Sequence, residues 1–588
     1  MQATGVSKND ATPWWREWEV GALLILVLAI YFSRLTTLPI RGEETRRAMV
    51  AREILWTGDW IIPRQQGEPF LSRPPLGSYP IVLASLFAGD TTVLATRLPT
   101  ALATLLTSLL VYGYCRQRLS ALGSLGAALG YATAGQVMQL GQTAETEATF
   151  TLLLAGSLLL WHWGYTNGWS KYGMWSAAYL CVALGALAKG PQAPVYFATT
   201  IGAFLIYRRQ WRALFHPAHF VGIGLFTLVL GAWHIPFALQ LGWPAVEDVW
   251  AGDVGLRFVD QTWLTWLEHV ATFPAEVGMY LLPSSLLLLA FVRPSFWKTL
   301  QRDAPWLSFA AIAIAVTFPT CWLVPGAKPR YFMPLYPCVA VFMGVVIDRL
   351  AHGAAHPALA QTWRFYQRFH LGAALGIGAA AIALASWPAL PFAWLRISPL
   401  SAALLAAMSA SAALVLFYNQ SDCSEANLRR GLLAAAAVAG VAYTGLVTTI
   451  SLRRSEDIAA PMAELKAQLP SGTQLVSFGL IETMFTYHYN DPVTLLAPPE
   501  ELESVPADVK FFCMNFSGGK LPRLPFAWQK EAILSCDRWK RDQPQRMVVV
   551  GRRLADAVAL SQADGEPVLT ATRVDDGSFL PSEKSQHD

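Results

Sequence analysis

About thirteen apolar stretches divide the first 450 residues of this chain, most of them long enough to cross a bilayer. A crossing helix needs about 20 mostly apolar residues, because the hydrocarbon core is ~30 Å thick. Charged residues make up only 14% of the chain, whereas a soluble domain has about 25%. We therefore predict an all-α polytopic membrane protein with spans at approximately 20–33, 93–115, 121–140, 146–166, 172–188, 191–207, 219–241, 273–292, 306–325, 330–350, 369–390, 398–418 and 427–450.

Composition also narrows the partners and cofactors of such a chain. The net charge of +4 is too small to indicate nucleic-acid binding, and we predict no nucleic-acid partner. The hydrophobic content of 54% excludes a disordered chain. The cysteines show no spacing typical of a metal site, so we assign no metal ligands and no cofactor. The use of a divalent metal ion is left open.

The positive charges predict how the chain is oriented in the cell (inner) membrane. Lys and Arg favour short cytoplasmic connections. Here they cluster in alternate connections, at Arg116/Arg118, Lys171, Arg208/Arg209/Arg212, Arg293/Lys298/Arg302, Arg349/Arg364/Arg368 and Arg429/Arg430. The pattern predicts a cytoplasmic N-terminus, with the long loop 37–92 and everything after residue 450 on the extracytoplasmic, periplasmic side.

The predicted extracytoplasmic boundary mixes acidic and basic residues. A charge inside the bilayer costs about 3 kcal/mol on insertion scales. The charges collect instead at the outer boundary: Glu43, Glu44, Arg46, Arg47, Arg73, Glu145, Glu147, Lys189, Lys328 and Arg330. Such a mixture could bind an anionic lipid headgroup and deprotonate a hydroxyl or amine beside it.

The first loop begins with a predicted amphipathic helix over residues 43–56. Apolar residues recur there at helical spacing, from Ala48 to Leu55. Glu43 and Glu44 fall in the first turn, where a helix N-terminus stabilises carboxylates. A purely structural role, with Glu43 paired to Arg47 one turn later, explains the acidic pair equally well.

Motifs in five regions, all on the predicted outer side, resemble those of one family in the same order. They are Glu43-Glu44, Arg46, Ala51-Arg52-Glu53, Gly58-Asp59-Trp60 and Arg73-Pro74-Pro75 in the first loop, then Thr143-Ala144-Glu145, Lys189-Gly190-Pro191, Trp233-His234 and Lys328-Pro329-Arg330-Tyr331. Together they resemble the GT-C membrane glycosyltransferases, in the aminoarabinose-transferase and protein O-mannosyltransferase (PMT-like) group. The resemblance covers roughly residues 20–350.

This resemblance implies a reaction, its partners and its site residues. Family members move a sugar from a polyprenyl-phosphate donor to a lipid or protein acceptor, with inversion, on the outer face of the membrane. The implied partners are therefore the lipid-linked sugar donor, the acceptor and membrane lipids. Glu43 is the expected general base, Glu145 positions it or the acceptor, and Glu44 is a third catalytic candidate. The donor phosphate is expected on cations and one aromatic: Arg73, Lys189, Lys328, Arg330 and Tyr331.

Three positions depart from the family pattern. Glu43 and Glu145 stand where the family usually has Asp, and Arg73 stands where it has Lys. Charge is kept at each position, but a longer carboxylate or a forked guanidinium changes the local geometry. The departures leave open which sugar and acceptor are used, and also whether the chain is an enzymatically silent relative.

Other interpretations stay open as well. A transporter or flippase of lipid-linked sugar would have a similar number of spans, although it would be expected to carry ionisable residues or broken helices near mid-membrane. Lys189 could complement a helix C-terminus, and Tyr331 could be an ordinary interfacial aromatic. His234 is more typical of a packed interfacial histidine than of a metal ligand.

After residue 450 the sequence changes to a soluble pattern. Helices are predicted at 458–469 and 481–489, and strands at 474–478, 494–496, 509–514 and 547–550. They form a predicted small extracytoplasmic α/β domain over residues 451–555, following the transmembrane domain 1–450. Cys513 and Cys536 could pair there in an oxidising compartment. The polar tail 556–588 is predicted to be disordered.

Overall fold

The structure, a computed structural model, comprises two compact units, Met1–Asp457 and Ile458–Asp588. The described residues are 13–255, 262–353, 356–386, 395–419, 423–455, 457–500, 505–506, 508–516, 521–536 and 547–554. The predicted polar tail 556–588 lies outside them. The first unit is helical apart from one small hairpin, whereas the second contains a larger sheet.

The helices of the first unit follow the apolar stretches of the sequence. In chain order they are α1 Trp18–Tyr31, α2 Glu43–Thr57, α3 Tyr79–Ala88, α4 Val93–Cys115, α5 Ala121–Ala132, α6 Gly135–Leu140, α7 Thr146–Asn167, α8 Lys171–Lys189, α9 Gln192–Tyr207, α10 Pro217–Leu241, α11 Trp243–Gly255, α12 Trp263–Tyr280, α13 Pro294–Asp303, α14 Ser308–Trp322, α15 Tyr336–Ala351, α16 Pro357–Ser386, α17 Pro399–Tyr418, α18 Glu425–Gly440 and α19 Thr448–Arg454. A π-helical segment, Val441–Val447, joins α18 to α19.

Within the described residues, seven helices are long and apolar enough to cross a membrane. The chain is therefore a multi-pass membrane protein, as predicted. Helix α4 has the predicted bounds, and α7, α8, α9, α10 and α17 agree with prediction within a few residues.

Two predicted spans are interrupted, and the interruptions contact each other. The span predicted over 121–140 is divided between α5 and α6. In the span predicted over 273–292, α12 ends at Tyr280 and a 3-10 helix, Ser284–Val292, begins after Pro283. Proline cannot donate the hydrogen bond that a continuing helix needs. The Gly135 N–H donates to the Leu282 carbonyl at 2.8 Å. This bond satisfies backbone groups that an apolar environment would leave unpaired.

Close packing of α5 against α15 forms the centre of the first unit. A Cβ at Gly123, Gly126 or Gly130 would come within 2.6–2.8 Å of side-chain atoms of α15. Small residues at this helical spacing let two helices approach closely where the hydrophobic effect supplies no attraction between them. Helix α15 is almost entirely buried as a result.

The first loop is folded and packs on the helices. Helix α2 confirms the amphipathic helix predicted over 43–56, with the acidic pair in its first turn. A two-stranded hairpin follows, β1 Arg64–Gln65 and β2 Glu68–Pro69. The Glu53 carboxylate of α2 accepts hydrogen bonds from the backbone N–H groups of Gln66 and Gly67. The loop is thereby held as one folded layer.

The second unit contains a five-stranded sheet and two helices, α20 Ala459–Gln468 and α21 Thr483–Tyr489. The strands β3 Val476–Phe478, β4 Thr494–Leu496, β5 Phe511–Asn515, β6 Trp528–Ser535 and β7 Met547–Arg553 are arranged in the order β4-β3-β5-β7-β6. Strands β4, β3 and β5 are parallel, and β7 is antiparallel to both of its neighbours. Cys513 and Cys536 are buried in one core cluster of this unit, but the structure has no disulfide between them, unlike the pairing considered from the sequence.

Strand β6 was not predicted from the sequence. It lies at the edge of the sheet and half of its side chains are polar. An edge strand with a register irregularity needs no regular apolar alternation, so the sequence carries no clear strand pattern there.

Candidate active site

The first acidic turn, Glu43 and Glu44, begins α2 and presents Glu43 to a cleft. Gly42 makes the turn into the helix at φ +58°, a conformation that favours glycine. The Glu43 side chain is 40% exposed and accepts a hydrogen bond from Arg46 at 2.8 Å. Arg46, Arg47 and Arg73 line the cleft with it. Glu43 is therefore a reachable carboxylate among three guanidinium groups.

Glu44 is buried beneath the cleft, and both of its oxygens are engaged. Arg97 of α4 donates from Nε to Oε1 at 2.7 Å and from Nη2 to Oε2 at 2.8 Å. This bidentate pairing is among the strongest that side chains make. The Ala144 N–H also donates to Oε1, at 2.9 Å. Glu44 thus joins the first loop to α4 and to the connection before α7.

The second acidic turn, Glu145 and Glu147, begins α7 in a similar way. Arg330 contacts both residues, with Nη1 2.6 Å from Glu145 Oε2 and Nε 3.5 Å from Glu147 Oε1. The Lys189 ammonium lies 3.1 Å from the same Glu147 oxygen. The Glu145 side chain is 20% exposed and that of Glu147 only 2%. One carboxylate of this turn is reachable and the other is locked in an ion pair.

Lys189 belongs to the wall of a cavity as well as to this ion pair. It ends α8 because Gly190 follows at φ +88°. Its ammonium lies 5.1 Å from the Tyr331 ring centroid, within cation–π range. Lys189, Tyr331 and Arg73 line one cavity of about 200 Å³. Three residues that are far apart in the sequence therefore form one cationic and aromatic wall.

Arg73 connects the cleft to the cavity. The segment Ser72-Arg73-Pro74 lines both openings. The Arg73 guanidinium donates to Thr146 Oγ1 at 3.3 Å. A Cβ at Gly77 would come within 2.8 Å of the Thr146 methyl group, so the loop packs directly on the start of α7. The two acidic turns, the cleft and the cavity form a single site.

Cations outnumber carboxylates in this site. Five basic side chains accompany three acidic ones: Arg46, Arg47, Arg73, Lys189 and Arg330 with Glu43, Glu145 and Glu147. Burial raises the pKa of Glu145, and the adjacent Glu147 carboxylate raises it further, while Arg330 and Arg47 oppose that shift. The site can hold an anion beside a carboxylate that takes up a proton more readily than an exposed glutamate.

Most of the predicted site residues meet here. Glu43 lines the cleft, Lys189 and Tyr331 line the cavity, and Arg73 lines both. Arg330 and Glu145 pair at the second acidic turn, and Glu44 is the buried residue of the first. Lys328 is exposed and lines neither opening.

Two further residues of the site, Arg97 and Glu147, received no role from the sequence, which gave Arg47 only a pairing with Glu43. Arg47 lines the cleft, and Glu147 pairs with Lys189. Arg97 carried a usable signal, since a buried arginine in an otherwise apolar helix needs an acidic or carbonyl partner. The signal for Glu147 was weaker, because the sequence does not show whether Glu145 or Glu147 faces inward.

His234 contacts Trp250 and the backbone of α10. The Trp250 indole donates to His234 Nε2 at 2.6 Å, and His234 Nδ1 lies 2.8 Å from the Leu230 carbonyl. Both ring nitrogens of His234 are thus engaged in packing contacts. Across the described residues, no group of three or more His, Cys, Asp or Glu side chains is arranged to hold a metal ion.

Comparisons with known sequences match this part of the chain. Residues 72–236 match the family model described as dolichyl-phosphate-mannose-protein mannosyltransferase. Two relatives are named undecaprenyl phosphate-alpha-4-amino-4-deoxy-L-arabinose arabinosyl transferase. The one from Edwardsiella ictaluri is 25% identical over 346 residues, which cover 55% of this chain and 59% of the relative. The one from Pseudomonas aeruginosa is 26% identical over 356 residues, which cover 56% and 60%. The chain thus spans about three fifths of the length of these relatives.

Solved structures show the fold. The chain is similar to ArnT from Cupriavidus metallidurans in the apo state, with a TM-score of 0.67, 17% identity and coverage of 90% of this chain and 97% of that one. The undecaprenyl phosphate-bound form gives a TM-score of 0.65 at 18% identity and the same coverage. The fold is therefore that of the GT-C class of membrane proteins. Residues 72–236 are thus similar to a protein mannosyltransferase family, and about 55% of the chain is similar to the two arabinosyl transferases, in agreement with the resemblance predicted from its motifs.

Proposed function

We propose that the protein is an inverting glycosyltransferase that moves a sugar from a polyprenyl-phosphate donor to a lipid or protein acceptor. One observation carries the proposal: the cleft that holds the reachable carboxylate Glu43 shares Arg73 with a cationic cavity. A base next to an anion-binding pocket is the arrangement that sugar transfer from a lipid phosphate requires.

The cavity is the proposed donor-phosphate pocket. Bond cleavage leaves a polyprenyl phosphate monoester, and Arg73 and Lys189 would stabilise the negative charge that develops on it. Each charge-assisted contact is worth about 1.5–3 kcal/mol. Arg330 holds Glu145 and Glu147, and it adds positive charge beside the pocket. Tyr331 covers the Lys189 ammonium and keeps it in position. Lys328 is exposed and lines neither opening, and we propose no direct contact with phosphate for it.

Glu43 is the proposed general base. The acceptor hydroxyl or amine loses its proton to the Glu43 carboxylate while its oxygen or nitrogen forms a bond to the anomeric carbon. The bond from that carbon to the phosphate oxygen breaks on the opposite face, which inverts the configuration, and its electrons leave with the polyprenyl phosphate. Glu145 would orient the acceptor through its position next to the cleft. We assign Glu44 a positioning role, because both of its oxygens are engaged.

The donor chemistry follows from the named relatives. They are named for undecaprenyl phosphate-linked aminoarabinose, and one solved structure of the same fold holds undecaprenyl phosphate. We propose that this chain uses a donor of the same type, a sugar linked to a long polyprenyl phosphate. This proposal makes an undecaprenyl-phosphate-linked pentose the first donor to test.

The proposed topology places the reaction on the outer face of the inner membrane. We propose thirteen crossings with a cytoplasmic N-terminus, because the positive charges lie in alternate connections. The site and the second unit then lie on the periplasmic side, where the unit forms an extracytoplasmic α/β domain. Labelling of single cysteines with a membrane-impermeant maleimide in intact cells tests this arrangement.

A transfer assay tests the function. Purified protein is incubated with radiolabelled polyprenyl-phosphate sugars and a membrane lipid extract, and product formation is scored by chromatography. We expect labelled product together with released polyprenyl phosphate. None of the comparisons favours the transporter or flippase alternative. In vesicles, movement of labelled donor across the bilayer with no transfer to an acceptor would nevertheless establish that alternative.

A further inference from the structure

We infer that Arg97 is a positioning residue of this site, which acts through Glu44 to fix the distance between Glu43 and Glu145. The inference rests on the proposed function, since it concerns the carboxylates assigned to that reaction. Arg97 lines neither the cleft nor the cavity, so it has no direct part in binding there.

Arg97 lies in an apolar helix, yet all three nitrogen atoms of its guanidinium group donate hydrogen bonds. It is buried and makes five hydrogen bonds, two of them to Glu44. The other three go to backbone carbonyl groups between α1 and α2, those of Leu35, Leu38 and Pro39. A planar guanidinium fork can satisfy such a set, whereas a lysine ammonium offers only three donors from one point. Arg97 thus fixes the chain that leads into the first acidic turn.

Glu44 extends this contact to the second acidic turn. Its Oε1 accepts hydrogen bonds from Arg97 and from the Ala144 N–H. We call this arrangement the Arg97–Glu44–Ala144 clamp. Glu43 precedes the clamp residue Glu44, and Glu145 follows the clamp residue Ala144 in the chain. Each reachable carboxylate is therefore one residue away from the same buried set of hydrogen bonds.

The position of the clamp explains why it matters for transfer. Glu43 and Glu145 belong to segments about 100 residues apart, and regular secondary structure does not connect them directly. A misplacement of about 1 Å at a reacting group can cost about 100-fold in rate. The clamp supplies the rigid link between the two turns, while phosphate binding depends on Arg73 and Lys189, which line a cavity that none of the three clamp residues lines.

Two clamp variants and one matched control test the inference. Arg97→Lys keeps the charge but loses the fork, and Glu44→Gln keeps the size but loses the carboxylate. We expect each to lower kcat about 10–100-fold and to leave the Kd for undecaprenyl phosphate within about twofold. The double variant should lose no more than about threefold beyond the worse single variant, because residues that act as one unit are not additive. Glu19→Gln is the control, since Glu19 is equally buried and pairs with Arg429 elsewhere in the unit. It should leave kcat unchanged.

Hydrogen exchange separates this inference from the proposed reaction. In Arg97→Lys, amide exchange should accelerate together in segments 41–46 and 141–146, and it should not accelerate there in Glu19→Gln. Additive losses of kcat, unchanged kcat in both clamp variants, or faster exchange in only one of the two segments would overturn the inference. If the wild-type protein transferred no sugar, the proposed function would fail, and the exchange result would still decide whether the clamp links the two turns.

Discussion

The two acidic turns have a similar design but different neighbours. Each turn has one partly exposed carboxylate, Glu43 or Glu145, and one carboxylate in a buried ion pair. In the first turn the buried partner is Arg97, which lines neither opening. In the second turn it is Lys189, which forms part of the cavity wall.

This difference separates the roles of the two turns. The ion pair of the first turn, Glu44 with Arg97, has a structural role. Its loss should lower the rate of transfer and leave the affinity for the donor unchanged. The ion pair of the second turn lies against the proposed phosphate pocket, so its loss should change donor binding directly. Measurements of Kd and kcat on the same variants can therefore show whether the two turns have these different roles.

The largest expected effect on donor binding comes from Lys189→Met. This change removes a cation from the cavity wall while keeping most of the side-chain volume. We expect the Kd for undecaprenyl phosphate to rise about 10–150-fold, which corresponds to one charge-assisted contact of about 1.5–3 kcal/mol. Equilibrium binding to protein in nanodiscs measures it. A Kd within twofold of the wild-type value would remove Lys189 from the phosphate pocket.

The same variant should lower stability, in a way that a second change reverses. Lys189→Met removes the nearer ion-pair partner of buried Glu147 and leaves Arg330, 3.5 Å away. Loss of one partner of a buried pair costs about 3–5 kcal/mol, whereas replacement of both partners is often nearly neutral. Thermal unfolding should show a clear drop in Tm for Lys189→Met and recovery in Lys189→Met/Glu147→Gln. If the double variant is no more stable than the single one, the ion pair is not the source of the loss.

A smaller effect is expected on the pH dependence of transfer. The raised pKa of Glu145 means that activity should fall as the pH drops through a value above the ~4.3 of an ordinary glutamate. Arg330 opposes the shift, so Arg330→Gln should move this acidic limb to higher pH, while Arg330→Lys should leave it close to the wild-type position. pH–rate profiles of the three proteins measure the shift, and movement of the limb to lower pH in Arg330→Gln would contradict the assignment.

The smallest effect is expected for Lys328→Gln. Lys328 is exposed and lines neither opening, and exposed charge contacts contribute about 0–1 kcal/mol. Both kcat and KM for the donor should stay within about twofold of wild type in steady-state assays. A loss of donor affinity comparable to that of Lys189→Met would show that Lys328 contacts the donor when it binds.

Much of the helical architecture could be predicted from the sequence, because apolar runs of spanning length have few alternatives in a bilayer. Such a run predicts the bounds of α4, whereas the amphipathic helix α2 is predicted from apolar residues at helical spacing. The interruptions near Gly135 and Pro283 could not be located from apolar content, because both segments are mostly apolar and the hydrogen bond that joins them is a tertiary contact. Strand β6 escaped prediction because an edge strand with polar side chains lacks a regular apolar pattern.

The sequence predicts which residues belong to the candidate site, but it does not predict which of them are buried and which line an opening. Family motifs identified Glu43, Arg73 and Lys189, and these residues do line the two openings. The sequence could not show that Glu44 faces inward, because adjacent residues at a helix start differ in burial only through tertiary contacts. Arg97 and Glu147 were missed for the same reason, since their partners lie in other segments.

The most direct test of the account is a single-turnover measurement on Glu43→Gln with saturating labelled donor and acceptor. If Glu43 is the base, the variant should bind undecaprenyl phosphate with a Kd within about twofold of wild type. Its rate of sugar transfer should fall about 10²–10⁴-fold, the usual contribution of general base catalysis. Transfer at the wild-type rate by a correctly inserted Glu43→Gln protein would contradict the assignment of the base.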